Sequence, residues 1–113
     1  MKTFVSAKLH GVRVTGASVQ YNGSITLYSG WMIEAGIQDY EQVQIVNLSN
    51  GNRWTTYVIP SKDKIFTLNG GGAFLGKPGD SCVIMTYDIK EKFDGAKVLF
   101  FDLNNNIVSG MEY

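Results

Sequence analysis

The chain has 113 residues, room for one domain, 1–113, around one modest core. Ten basic residues balance ten acidic ones, with one histidine besides, so the surface lacks the net field that draws nucleic acid or an anionic membrane. A lone cysteine, Cys82, excludes an internal disulfide framework and suits a reducing cytoplasm, and no cluster of His, Cys and carboxylates has the spacing of metal ligands.

No apolar run is long enough to cross a bilayer, and Met1–Val12 reads as mature protein and not as a signal peptide. Thr3–Leu9 and Gly11–Val19 alternate like half-buried strands, and Ser24–Tyr28 is a short third. Gly30–Gly36 is the best helical stretch, about two turns bounded by glycines. Gln42–Leu48 and Arg53–Ile59 flank an Asn-Gly turn and predict a hairpin. Lys64–Asn69 runs into three glycines. The turn "KPGD" launches Ser81–Tyr87, and Ala96–Leu103 with Ile107–Tyr113 closes the chain as a last hairpin. About seven or eight short strands with glycine turns predict a mainly β domain, a closed or nearly closed barrel.

Three stretches hold most of the polar residues with chemical potential. Alternation places Lys8 and His10 on one strand face, which is either a solvated surface or a cationic patch for a small acid. In "RWTTY", Arg53, Thr55 and Tyr57 share one face, and Trp54 and Thr56 the other. Arginine can grip a carboxylate with both arms, and a nearby tyrosine hydroxyl can supply a proton. In "NGGGAF", glycines permit close backbone approach to a ligand, or simply a flexible turn. No Lys-Ser/Thr follows, which excludes a P-loop. Cys82 sits in an apolar strand and reads as a small buried residue.

Separately these signals decide little. In order, "KLHGVRVTGASVQYNGSIT", "NGNRWTTYVI", "LNGGGA" and "GKPGDSCVI" resemble the successive motifs of the pyruvoyl-dependent aspartate 1-decarboxylase family, from Lys8 to about Tyr87. The "PGD" turn also resembles the Gly-Asp box of double-psi β-barrels. The resemblance implies a six- or seven-stranded double-psi β-barrel with short helices, assembled as a homotetramer with sites between subunits. It implies self-cleavage at Gly23–Ser24, giving fragments 1–23 and 24–113 and converting Ser24 into a covalently bound pyruvoyl group. That group would form a Schiff base with L-aspartate and release β-alanine and CO2, in pantothenate biosynthesis. No free cofactor or metal is implied.

Residue by residue, the resemblance gives Thr56 to processing and Tyr57 to proton donation. It gives Arg53 and Lys8 to the substrate carboxylates, and His10, Tyr21, Asn69, Gly70, Gly71 and Gly72 to the lining of the site. Alternation sets Thr56 opposite Arg53 and Tyr57, so a bend or a subunit boundary is needed for all three to meet. The chain departs from the family at Gly11, where arginine is usual, and at Tyr28, where aspartate is usual. It departs too in its glycines after Asn69, where alanines are usual, and in the short loop Pro60–Lys64. Whether maturation needs a partner protein is open, since family members differ. Two other readings fit the residues: a pyruvoyl enzyme for another acidic amino acid, and a non-catalytic double-psi barrel used for binding.

Overall fold

The computed structural model describes all residues, 1–113. Nine strands surround one short α-helix and one 3-10 turn: β1 Lys2–Arg13, β2 Gly16–Ser18, β3 Ile25–Tyr28, α1 Ser29–Ala35, β4 Gln42–Asn47, β5 Arg53–Ser61, β6 Phe66–Asn69, the turn Gly70–Phe74, β7 Ser81–Lys90, β8 Lys97–Phe101 and β9 Ile107–Glu112. The strand order is β2-β6-β3-β5-β4-β7-β1-β8-β9. Parallel pairs (β1 with β8, β2 with β6, β3 with β5) mix with antiparallel ones, a topology consistent with a β-barrel. Beyond β1 the chain continues to the far side of the sheet, where Thr15 N–H donates to the Phe66 carbonyl and Val14 N–H to the Asp80 carbonyl.

Nine strands form where about seven or eight are expected. The C-terminal hairpin forms as expected, as β8 and β9, and the stretch Gly11–Val19 is divided between the end of β1 and the separate three-residue β2. The break expected at Gly11 does not occur. β1 runs through it, and the register against β7 slips between His10 and Val12, a bulge absorbed by Gly11 at φ +90°. The helix forms within one residue of the expected span. It buries Trp31, Met32 and Ala35, and stops where Gly36 enters the left-handed region and returns its N–H to Ile33 O.

The core is apolar and nearly dry of charge. Leu9, Val12, Ile25, Leu27, Val43, Ile45, Val58, Phe66, Leu68 and Ile84 are fully buried, as alternation along their strands requires. Cys82 belongs to it, and burial first, the Asp80 charge second, pushes its thiol up to about 12. No helix is long and apolar enough to cross a membrane.

One buried polar hub pins the turn before β7. Asn47 Nδ2 donates to Asp80 Oδ2 at 2.9 Å, Lys77 N–H to the same oxygen at 3.0 Å, and Asn47 Nδ2 also to the Leu75 carbonyl at 3.1 Å. The Asn47 hydrogen bond is the main reason Asp80 ionises below the usual carboxylate range, against the opposing effect of burial. Asp80→Ala strands these donors and is expected to cost about 2–3 kcal/mol at neutral pH. A carboxylate whose folded-state pKa is depressed stabilises above its unfolded value, about 3.9, and loses that contribution as pH falls through the folded one. The deficit, read from urea midpoints at one protein concentration, therefore shrinks below about pH 4.

Candidate active site

The Gly23–Ser24 link lies just before β3. Ser24 is buried, at 4% exposure, and has φ 104°, a conformation that a side chain disfavours. Such a backbone holds about 1–3 kcal/mol of strain and persists only where its surroundings impose it. Asn69, at the end of β6, imposes it. Its backbone N–H donates to the Ser24 carbonyl at 3.0 Å, and its Nδ2 donates to Ser24 Oγ at 3.3 Å and to Thr26 Oγ1 at 2.9 Å. The local fold makes this possible because β3 pairs with β6, setting Ile25 against Leu68.

On its other side β3 pairs in parallel with β5, and the register begins at Ile25 against Val58. Thr56 and Tyr57 come just before Val58 on β5, as Gly23 and Ser24 come just before Ile25, where the pairing starts. Thr56 is half-buried and Tyr57 is 40% exposed, so the expected alternation along β5 holds. Gly70 is buried against the Gly23 backbone. Gly71 is exposed, and Gly72 faces the Trp54 indole, whose buried N–H has no partner. The glycine run opens a 3-10 turn, Gly70–Phe74. A cavity of about 370 Å³ opens beside it, walled by Tyr21, Ser18, Thr26, Thr67 and Asn69.

Lys8, His10 and Arg53 are elsewhere in the single chain. Lys8 and His10 stand on the outward face of β1, opposite buried Ala7 and Leu9. Pairing carries His10 to Val83, Val83 to Val46 and Val46 to Arg53, so His10 and Arg53 end one row of the sheet. Three strand spacings separate them, about 14 Å. Arg53 is four residues from Tyr57 along β5, about 13 Å. Its Nη1 reaches only Gln44 Oε1, at 3.5 Å, and is exposed. His10 packs against Phe100 with ring centres 5.6 Å apart and the planes tilted by 52°, and its buried Nδ1 has no partner.

One chain thus brings Gly23 and Ser24 together with Asn69 and Gly70, with Thr56 and Tyr57 on the neighbouring strand β5, while the candidate carboxylate-binding cations lie apart on the outward sheet face. The largest cavity, about 620 Å³, is at neither place; Asp39, Glu41 and Asp88 line it, and they would repel an acid. The residues that pattern reasoning missed are Thr26 and Thr67, which fix Asn69. Their alternation against buried Leu27 and Leu68 was visible, but their partner was not.

Fold and site together define a small mixed β-barrel built around a strained, buried serine that follows a glycine. A family model described as aspartate decarboxylase matches residues 1–108. The chain is 45% identical to the aspartate 1-decarboxylase of Microcystis aeruginosa over 105 residues, 88% of this chain and 76% of that one. It is 41% identical to the aspartate 1-decarboxylase of Clostridium botulinum (strain Loch Maree / Type A3) over 112 residues, 93% and 87% of the two chains. It is 43% identical to the aspartate 1-decarboxylase of Synechocystis sp. over 110 residues, 90% and 76%. The chain belongs to the aspartate decarboxylase family, whose fold is the double-psi β-barrel.

Proposed function

We propose that this protein is a lyase that decarboxylates L-aspartate to β-alanine and CO2, using a pyruvoyl group that it makes from its own Ser24. The relatives' names support the substrate. The observation that carries the cofactor is the backbone at Ser24: buried, at φ 104°, with its hydroxyl held by Asn69. Strain at a bond that is to break raises the ground state, and cleavage releases it.

In the first step Ser24 Oγ bonds to the Gly23 carbonyl carbon. The C–N bond to Ser24 breaks, and the hydroxyl proton ends on the freed Ser24 amine. In this reading Thr56, on the strand beside β3, donates to the oxyanion formed on the way. The ester then loses the Ser24 α-proton and its Cβ–O bond, which releases the Gly23 carboxylate and leaves dehydroalanine. Tautomerisation, addition of water and loss of ammonia give the keto acid.

The residues around position 24 fit such a group. Asn69 offers a neutral donor, and no charged side chain is hydrogen-bonded to Ser24. The pyruvoyl ketone would supply a partner for the substrate amine and a sink for the electrons left by CO2. Tyr57 delivers the proton that replaces CO2. Arg53 and Lys8 hold the substrate carboxylates. Because these cations are distant from Ser24 in one chain, this reading places each site between copies, in a homotetramer, with Arg53 or Lys8 supplied by a neighbour. The same reading makes the enzyme cytoplasmic and its β-alanine a precursor for pantothenate.

One experiment tests the core of it. A denaturing mass spectrum of purified protein is expected to show fragments 1–23 and 24–113, the larger blocked at its N-terminus, in a sample that forms β-alanine from L-aspartate. An intact chain with full activity would remove Ser24 from the chemistry, and a preference for L-glutamate would reassign the substrate.

A further inference from the structure

The three glycines after Asn69 are in different surroundings. A Cβ on Gly71 would meet nothing within 4 Å, and one on Gly72 would come 3.2 Å from Trp54 Nε1, the tip of a side chain. A Cβ on Gly70 would stand 2.7 Å from Gly23 Cα, 2.8 Å from Gly23 N and 2.9 Å from the Tyr21 carbonyl oxygen. All three are backbone atoms, so no change of rotamer clears them. The crowding is one-sided: a Cβ on Gly23 itself would meet nothing within 4 Å.

The neighbouring residue acts on the other half of the link. Asn69 holds Ser24 through its carbonyl and its hydroxyl, while the bare α-carbon of Gly70 lies against Gly23. The Asn69–Gly70 corner thereby fixes both halves of one peptide bond. We propose that Gly70 is a positioning residue for self-cleavage: having no side chain, it lets the 3-10 turn seat against Gly23 and keep the Gly23 carbonyl carbon within reach of Ser24 Oγ. This inference rests on the self-cleavage reading above. A β-carbon at residue 70 pushes Gly23 away from the hydroxyl, and a displacement near 1 Å costs an attack of this kind on the order of a hundredfold.

The test follows cleavage of freshly purified chains over time, by denaturing mass spectrometry. Val108→Ala, on the exposed face of β9, is expected to keep the unmutated rate within about twofold, since it touches neither Gly23 nor Ser24. Gly70→Ala is expected to slow cleavage by about tenfold or more. Gly70 also has φ +60°, which alanine resists and asparagine tolerates, so Gly70→Asn separates conformation from contact. Equal slowing in Ala and Asn assigns the effect to the Cβ. Cleavage of Gly70→Asn at the unmutated rate overturns the proposal.

Circular dichroism checks folding. Where a variant is unstable, trimethylamine N-oxide restores the fold and the rates of all chains are read in it. A rate still slow in the refolded variant supports positioning, and a restored rate makes Gly70 merely structural and overturns the proposal. Fully processed Gly70→Ala with a raised KM and a normal cleavage rate would make Gly70 a substrate-lining residue only. If the unmutated chain itself stays whole, the self-cleavage reading falls, a result distinct from any of these.

Discussion

Ser24→Ala is expected to give a single intact chain of 113 residues that makes no β-alanine. The methyl group has no lone pair with which to attack the Gly23 carbonyl, and without the ester there is no elimination and no keto acid. The loss is therefore complete, where a binding defect would leave residual turnover. Folding survives the change. Asn69 Nδ2 loses one acceptor but keeps Thr26 Oγ1 at 2.9 Å, and its backbone N–H still meets the residue 24 carbonyl. One lost neutral hydrogen bond costs about 1 kcal/mol. Mass spectrometry reads the chain length, and thermal melting reads the fold. Two fragments from this variant would show that Ser24 Oγ is not the nucleophile.

What could be read beforehand was whatever neighbouring residues determine by themselves. Gly36 ends a helix because a left-handed cap is a local requirement, and α1 stops there, while Gly30, expected to bound its start, lies inside it after Ser29. Lys8 and His10 share a face opposite Ala7 and Leu9 because a strand alternates. Gly11 misled because a bulge and a break place the same demand on one residue, and only the register against β7 tells them apart. The glycines after Asn69 look interchangeable in the sequence, and the approach of Gly23 makes just one of them critical. The left-handed backbone of Ser24 had no local sign, since its cause lies 45 positions away in Asn69. The expected site roles came from the ordered motifs, while pattern alone left Lys8 and His10 as a solvated surface or a cationic patch and Arg53 as a carboxylate fork or a cross-strand partner.

Arg53 and Tyr57 share a strand and a face, yet they are expected to fail in different ways. Tyr57 lies on β5, the strand beside β3, and Tyr57→Phe removes only a hydroxyl. Substrate binding through the carboxylates is then untouched, so KM for L-aspartate stays within a few-fold. Protonation of the carbon that lost CO2 slows, and kcat is expected to fall by about a hundredfold or more, as for loss of a positioned general acid. In the proposed function Arg53 acts through binding. In this structure its guanidinium is exposed and its one hydrogen bond, to Gln44 Oε1, is long at 3.5 Å, so little must be broken before it grips a carboxylate. Lysine keeps the charge but not the two-armed geometry. Arg53→Lys is expected to weaken aspartate binding by about ten- to a hundredfold, the equivalent of roughly 1.5–3 kcal/mol. Steady-state β-alanine production, normalised to the processed fraction of each sample, measures both, because incomplete cleavage would otherwise imitate a loss of kcat. Unchanged turnover in Tyr57→Phe would remove it as the proton donor. A fall in kcat with unchanged KM in Arg53→Lys would move the arginine from substrate binding to chemistry.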